Sequence, residues 1–160
     1  MPNSCNRIYD DFEIGDNCWF TRRFDAKAFS VFSELSGDQN ALHHDKKYAA
    51  STSFIHPIVP LHLAALPLSS IVGMMFPGLR ALYLNHEIHA RRPIPYDVDI
   101  IYSARVVDLH LGVGLDFFAH SGQSVSPVGG KVLSDAHIGE KIGFHTDDIF
   151  GSFVAVELTE

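Results

Sequence analysis

Sulfur and positive charge are scarce in this chain. Its 160 residues include 2 cysteines, 3 methionines and 1 tryptophan, and 12 Lys and Arg stand against 19 Asp and Glu for a formal charge of −7. Cys5 and Cys18 are too few for a disulfide framework and lack the CxxC spacing of a metal site. No basic run exceeds a pair, which excludes a general nucleic-acid binder, because tracking phosphates needs clustered positive charge. Arg22-Arg23, Lys46-Lys47 and Arg91-Arg92 are either local sites for an anionic ligand or solvated surface. The first residues show no basic stretch followed by an apolar one, so no secretory signal is read and a cytoplasmic protein is expected.

One segment has no charge at all. Pro57 to Leu79 lacks Lys, Arg, Asp and Glu, and is long enough to span a bilayer by the ~20-residue rule. Pro60, His62, Pro67, Ser69, Ser70 and Gly73 make it a poor lipid-facing helix, and basic anchors do not flank both ends. It reads as a helix buried inside a soluble protein, with no membrane span.

What is present is globular. Hydrophobic residues make up 46% and charged residues 19%, in a length typical of one domain, and no repeat or linker divides it. Phe24 to Leu35 reads as a helix, with Asp25 as N-cap, Phe24 and Phe29 placed for a hydrophobic staple, and Gly37 to end it. A short helix is expected over Asp45 to Ser51. A longer one follows over about Val59 to Phe76, with Pro60 in its first turn and a kink at Pro67. Beyond Pro77-Gly78 the period becomes two. Alternation at Leu82 to Ile88, Val98 to Val106, Val113 to Ala119 and Val132 to Ile138 predicts strands, and Ser152 to Leu158 predicts one more at a sheet edge. Helices followed by strands give an α+β fold, an antiparallel sheet wrapped on a buried helix.

The polar residues concentrate in Ser36-Gly37-Asp38-Gln39-Asn40-Ala41-Leu42-His43-His44-Asp45, between the first two helices. Asp38 and His43 stand across a predicted turn, and a carboxylate and an imidazole, with reference pKa values of roughly 3.9 and 6.5, suit proton exchange. Asn40 between them can fix geometry through its amide. Helix capping plus a surface histidine is the plainer alternative. The other histidines, among them His44, His56, His62, His86 and His89, show no HxH or HExxH spacing, and His86 and His89 are expected on opposite faces of one strand, so no metal is expected. Phe29, Phe32, Phe54 and Phe76 suit a core, although an acyl tunnel uses the same residues; Ser36 and Ser53 suit either ligand contact or capping.

The run Phe32-Ser33-Glu34-Leu35-Ser36-Gly37-Asp38-Gln39-Asn40-Ala41-Leu42-His43 resembles the hydratase motif of MaoC-like dehydratases, especially (R)-specific enoyl-CoA hydratases. The resemblance continues through Asp45, Tyr48-Ala49-Ala50, Thr52-Ser53-Phe54, Pro57-Ile58-Val59, Phe76-Pro77-Gly78, Tyr83-Leu84 and Arg92-Pro93-Ile94, and covers about residues 10 to 135. It implies a hot-dog domain over 1–138 with a C-terminal extension over 139–160, assembled as a homodimer. The implied substrate is an acyl thioester of coenzyme A or acyl carrier protein, in fatty acid metabolism, with no further cofactor. The implied chemistry is addition of water to a trans-2-enoyl group. In it Asp38 and His43 hold the water, Asn40 orients them, and backbone N–H groups at the start of the buried helix receive the enolate oxygen. Leu61, His62, Ser36 and Phe54 are the expected oxyanion or substrate-binding positions.

Four positions depart from the pattern. Pro60-Leu61 replaces His-Gly, whose glycine N–H is the oxyanion donor in the family; Ala41 replaces a proline; Tyr96 replaces a turn glycine. A working hydratase with a reshaped pocket and a non-catalytic thioester-binding or partner-binding subunit both follow from this. A thioesterase shares the substrate, but the Asp38 to His43 spacing argues against it.

Overall fold

The computed structural model describes residues 5–109, 113–121 and 149–157. Strand β1 (Asn17–Arg23) leads into α1 (Ala26–Ser36) through Asp25, whose carboxylate accepts the Ala28 N–H at 2.8 Å. That bond satisfies a donor that the first turn leaves without an intrahelical acceptor. Gly37 ends the helix at φ 74°, a left-handed conformation that favours glycine, and its N–H returns to the Ser33 carbonyl. Helix α2 (Lys46–Ala50) opens on Asp45, which accepts the N–H groups of Lys47 and Tyr48 at 2.7 and 3.1 Å.

The uncharged segment forms α3 (Leu61–Ala65), α4 (Pro67–Ser70) and a single π-type turn over Ile71–Met75. The interruption falls at Pro67, as its missing N–H requires. The carbonyl of Leu63 accepts the Leu66 N–H at 3.2 Å instead, and Leu66 keeps helical angles of −50° and −40°, so the backbone continues. Beside this break the Ala64 carbonyl accepts the buried Tyr102 hydroxyl at 2.7 Å, which ties the helix to the sheet. Among the described residues no helix is long and apolar enough to cross a membrane.

Strands β2 (Ala81–Ala90), β3 (Asp99–Asp108), β4 (Val113–Ser121) and β5 (Ile149–Glu157) join β1 in one antiparallel sheet of order β1-β3-β4-β5-β2. This corrects the expectation of an edge strand in a C-terminal extension. Strand β5 pairs with both β4 and β2 and lies inside the sheet, and the alternation that predicts a strand carries no information about which neighbours it finds. The expected strand over Val132 to Ile138 lies outside the described residues.

A second correction concerns β2. One continuous inward face of Leu82, Leu84, His86 and Ile88 is expected, yet Leu82 is exposed while Ala81 and Tyr83 and, further along, Ile88 pack on the core. The register shifts between Tyr83 and Asn85, and one extra residue in a strand exchanges the two faces on either side of it.

The core lies between sheet and helices. Ile100, Tyr102, Ala104 and Val106 of β3 meet Leu63, Ala64, Leu68, Ile71 and Val72 of the central segment, with Phe29 and Phe32 from α1. Phe20 stacks on Tyr102 with ring centroids 5.3 Å apart, and Phe12 meets Phe76 edge-on at 5.5 Å. Three of the four phenylalanines named above, Phe29, Phe32 and Phe76, are core; Phe54 is half-buried. The chain from β2 to β3 must pass from one sheet edge to the strand beside the other. It does so through Ile94, which is buried, and carries Tyr96 past the first helix: Val59 N–H meets the Ile94 carbonyl at 2.8 Å, and Asp97 N–H meets that of Phe24 at 2.9 Å.

Candidate active site

Residues 36–45 fold as a chain of side-chain caps. Ser36 Oγ donates to the Phe32 carbonyl at 2.7 Å and accepts the Asp38 N–H at 3.1 Å. Asp38 Oδ1 accepts the Asn40 N–H at 3.0 Å, and Asn40 Oδ1 accepts that of Leu42 at 3.0 Å, opening a tight turn over Ala41–His43. Each short polar side chain bends the backbone once, which explains the composition of the run. Asn40 acts on its neighbours through this cap.

With Oδ1 so engaged, Asp38 Oδ2 lies 4.0 Å from His43 Nε2. The His43 side chain is 13% exposed and that of Asp38 35%. On the other side of the ring, His43 Nδ1 lies 2.8 Å from the Ile58 carbonyl oxygen. A carbonyl only accepts, so Nδ1 donates, and the neutral imidazole presents an unprotonated Nε2 to Asp38. Ile58 is itself held by a backbone pairing with Pro95, and the Phe29 ring packs 6.0 Å from that of His43 and stacks on His44 at 5.4 Å. The two facing acceptors do not bond to each other when Asp38 is ionised and His43 neutral. A water at ordinary hydrogen-bond distance from both would subtend an angle of roughly 90°, close enough to the water geometry for it to donate one proton to each.

The start of α3 supplies donors. Pro60 accepts the Ala64 N–H at 3.0 Å, and the N–H groups of the first turn, Leu61 and His62 among them, have no acceptor within the helix. Leu61 is half-buried with its side chain against the core, His62 and Ser53 are exposed, and Phe54 is half-buried in the loop before α3. Ser36 is exposed, with its hydroxyl used twice in capping.

Tyr96, which stands where the family pattern has a turn glycine, follows the Pro95 that pairs with Ile58. Its hydroxyl is buried with no hydrogen-bond partner among the described residues. Burial, and after it the negative charge of Asp38, push its ionisation well above the usual tyrosine range.

The basic pairs are partly spent elsewhere. Arg23 bridges Asp99 at 2.8 Å and the Arg22 guanidinium lies over the Phe20 ring at 4.7 Å, whereas Lys46 and Lys47 are exposed. Among the described residues no three His, Cys, Asp or Glu side chains converge to hold a metal ion.

No family model matches the chain. An (R)-specific enoyl-CoA hydratase of Aeromonas caviae is 35% identical over 82 residues, covering 51% of this chain and 61% of that protein. A 3-hydroxybutyryl-CoA dehydratase of Methylorubrum extorquens is 29% identical over 95 residues, covering 59% of this chain and 60% of that protein. The chain thus spans about six-tenths of the length of the curated relatives it matches. Among solved structures, the (R)-hydratase of A. caviae aligns with a TM-score of 0.75 at 23% identity, over 92% of this chain and 98% of that one. A MaoC-like dehydratase of Rhodospirillum rubrum aligns at 0.62 and 15%, over 94% and 97%. The fold is the hot-dog fold, and the resemblance to (R)-specific enoyl-CoA hydratases and MaoC-like dehydratases stands on these relatives.

Proposed function

We propose that the protein adds water to trans-2-enoyl thioesters to give (R)-3-hydroxyacyl thioesters, or catalyses the reverse dehydration. The observation that carries this reading is the pair of facing acceptors, Asp38 Oδ2 and an unprotonated His43 Nε2, 4.0 Å apart. They suit a water whose oxygen attacks C3. As the C–O bond forms, the double-bond electrons move toward C2 and the thioester oxygen, and one water proton passes to the pair. The pair returns a proton to C2, so it ends as it began. Nothing is oxidised or reduced, so acid–base groups suffice for the chemistry.

The enolate oxygen needs donors, and the first-turn N–H groups of α3, that of Leu61 first, suit that role. Pro60 brings none. Losing one such donor typically costs about 10²–10³ in rate. That Leu61 stands where the family has glycine favours a second reading, a non-catalytic thioester-binding or partner-binding subunit. A coenzyme A or acyl carrier protein thioester and a homodimer belong to the proposal in either case.

The test follows the loss of enoyl absorbance of crotonyl-CoA with wild type, Asp38→Asn and His43→Ala. Turnover in the wild type that both substitutions abolish supports the hydratase. Binding without turnover, across longer and carrier-bound enoyl thioesters, would leave the binding subunit instead.

A further inference from the structure

Tyr96 is a buried hydroxyl without a partner, and burying a hydroxyl unpaired is unfavourable unless something else compensates. Its position is fixed from three sides. Pro95 pairs with Ile58, the Ile94 carbonyl receives the Val59 N–H at 2.8 Å, and the Asp97 N–H reaches Phe24 at 2.9 Å. Ile58 is also the residue whose carbonyl holds His43 Nδ1. The same crossing that fixes the imidazole therefore carries Tyr96, one residue on from the Pro95 that pairs with Ile58. Burial and the negative charge of Asp38 both keep the phenol protonated, so at neutral pH it is available to donate.

The pair that would hold a water offers it acceptors alone. Asp38 Oδ2 and His43 Nε2 both accept, and together they take the two protons of a water, leaving its oxygen lone pairs without a donor. We propose that Tyr96 is a further catalytic residue, whose hydroxyl donates a hydrogen bond to the oxygen that is exchanged between water and the 3-hydroxyl of the substrate. This rests on the hydration reading above. In dehydration the C3–O bond breaks with its electron pair going to oxygen, and the Tyr96 O–H stabilises the charge that develops there. In hydration the same bond orients the attacking oxygen. No proton leaves Tyr96 in either direction.

The experiment compares wild type with Tyr96→Phe in three readouts: kcat and KM on crotonyl-CoA, calorimetric Kd for (R)-3-hydroxybutyryl-CoA, and Tm without ligand. The expected result is a kcat lower by about 10-fold, the worth of one net hydrogen bond. KM for the enoyl substrate stays within about 2-fold, Kd for the hydroxyacyl thioester weakens several-fold, and Tm does not fall. The unchanged Tm separates this role from a structural one, since a hydroxyl without a partner has no bond to lose. Equal kcat and Kd in the two proteins would overturn the proposal, as would a Tm lower by several degrees. A wild type that binds the hydroxyacyl thioester without turning over would remove the hydration reading, and the Kd ratio alone would then decide Tyr96. A wild type that neither binds nor turns over removes both.

Discussion

Tyr102→Phe removes one atom from the middle of the molecule and tests how the broken central helix is held. The Tyr102 hydroxyl donates to the Ala64 carbonyl at 2.7 Å, and the residue is 1% exposed. Phenylalanine keeps the ring that stacks on Phe20 at 5.3 Å, so packing is largely conserved and the lost hydrogen bond dominates. A typical net hydrogen bond contributes about 0.5–1.5 kcal/mol, and a buried group left without a partner costs about 1–3 kcal/mol. With Pro67 interrupting the bonding just beyond Ala64, a loss of about 2 kcal/mol is expected, because the helix offers that carbonyl little in exchange. For a domain of this size that corresponds to a Tm lower by about 4–8 °C. Thermal unfolding followed by circular dichroism measures it, and urea titration should show a lower midpoint at unchanged slope. Tyr96→Phe is the internal control, since its hydroxyl has no partner and its Tm should hold. A Tyr102→Phe protein that melts within a degree of wild type would refute the reasoning, because the Ala64 carbonyl would then not need the phenol.

Three further outcomes follow from the same geometry. Asn40→Ala removes the cap on the turn that carries His43 and should cost about 0.5–2 kcal/mol in urea titrations, while Asn40→Asp, which keeps the acceptor, should retain most of that stability. Gly78→Ala should destabilise by about 1–3 kcal/mol, since φ is 111° and a Cβ there would collide with the Cys5 carbonyl; a Tm equal to wild type would contradict this. Cys18 is held up at about 11 by burial against an ordinary 9.0, so at pH 8 its thiolate fraction, and with it alkylation by iodoacetamide, should be about 100-fold below that of an unperturbed thiol. The sign follows from the raised value. The unfolded chain loses that proton first, so stability should decline as pH climbs from 9 toward 11.

Local chemistry was legible in the sequence because local partners create it. The Asp25 and Asp45 caps, the Gly37 stop and the interruption at Pro67 each depend on residues within one turn. The buried face of β3, Ile100, Tyr102, Ala104 and Val106, is the one that its alternation predicts. What was not legible depends on residues far apart in the chain. The place of β5 between β4 and β2 is a long-range pairing, and the bulge in β2 inverts an alternation that otherwise reads as regular. The candidate site divides in the same way. The motif brought Asp38, Asn40 and His43 forward, but the tautomer of His43 depends on Ile58, 15 residues away, and the Tyr96 hydroxyl is left buried without a partner beside a crossing that pairs Pro95 with Ile58.

The most direct test of the central claim is the identity of the product formed from crotonyl-CoA. Chiral chromatography with a parallel assay for free thiol should show (R)-3-hydroxybutyryl-CoA, no release of coenzyme A, and no product from Asp38→Asn. Free thiol would mark attack at the thioester carbonyl, and an (S) product or full activity in Asp38→Asn would contradict a water held between Asp38 and His43.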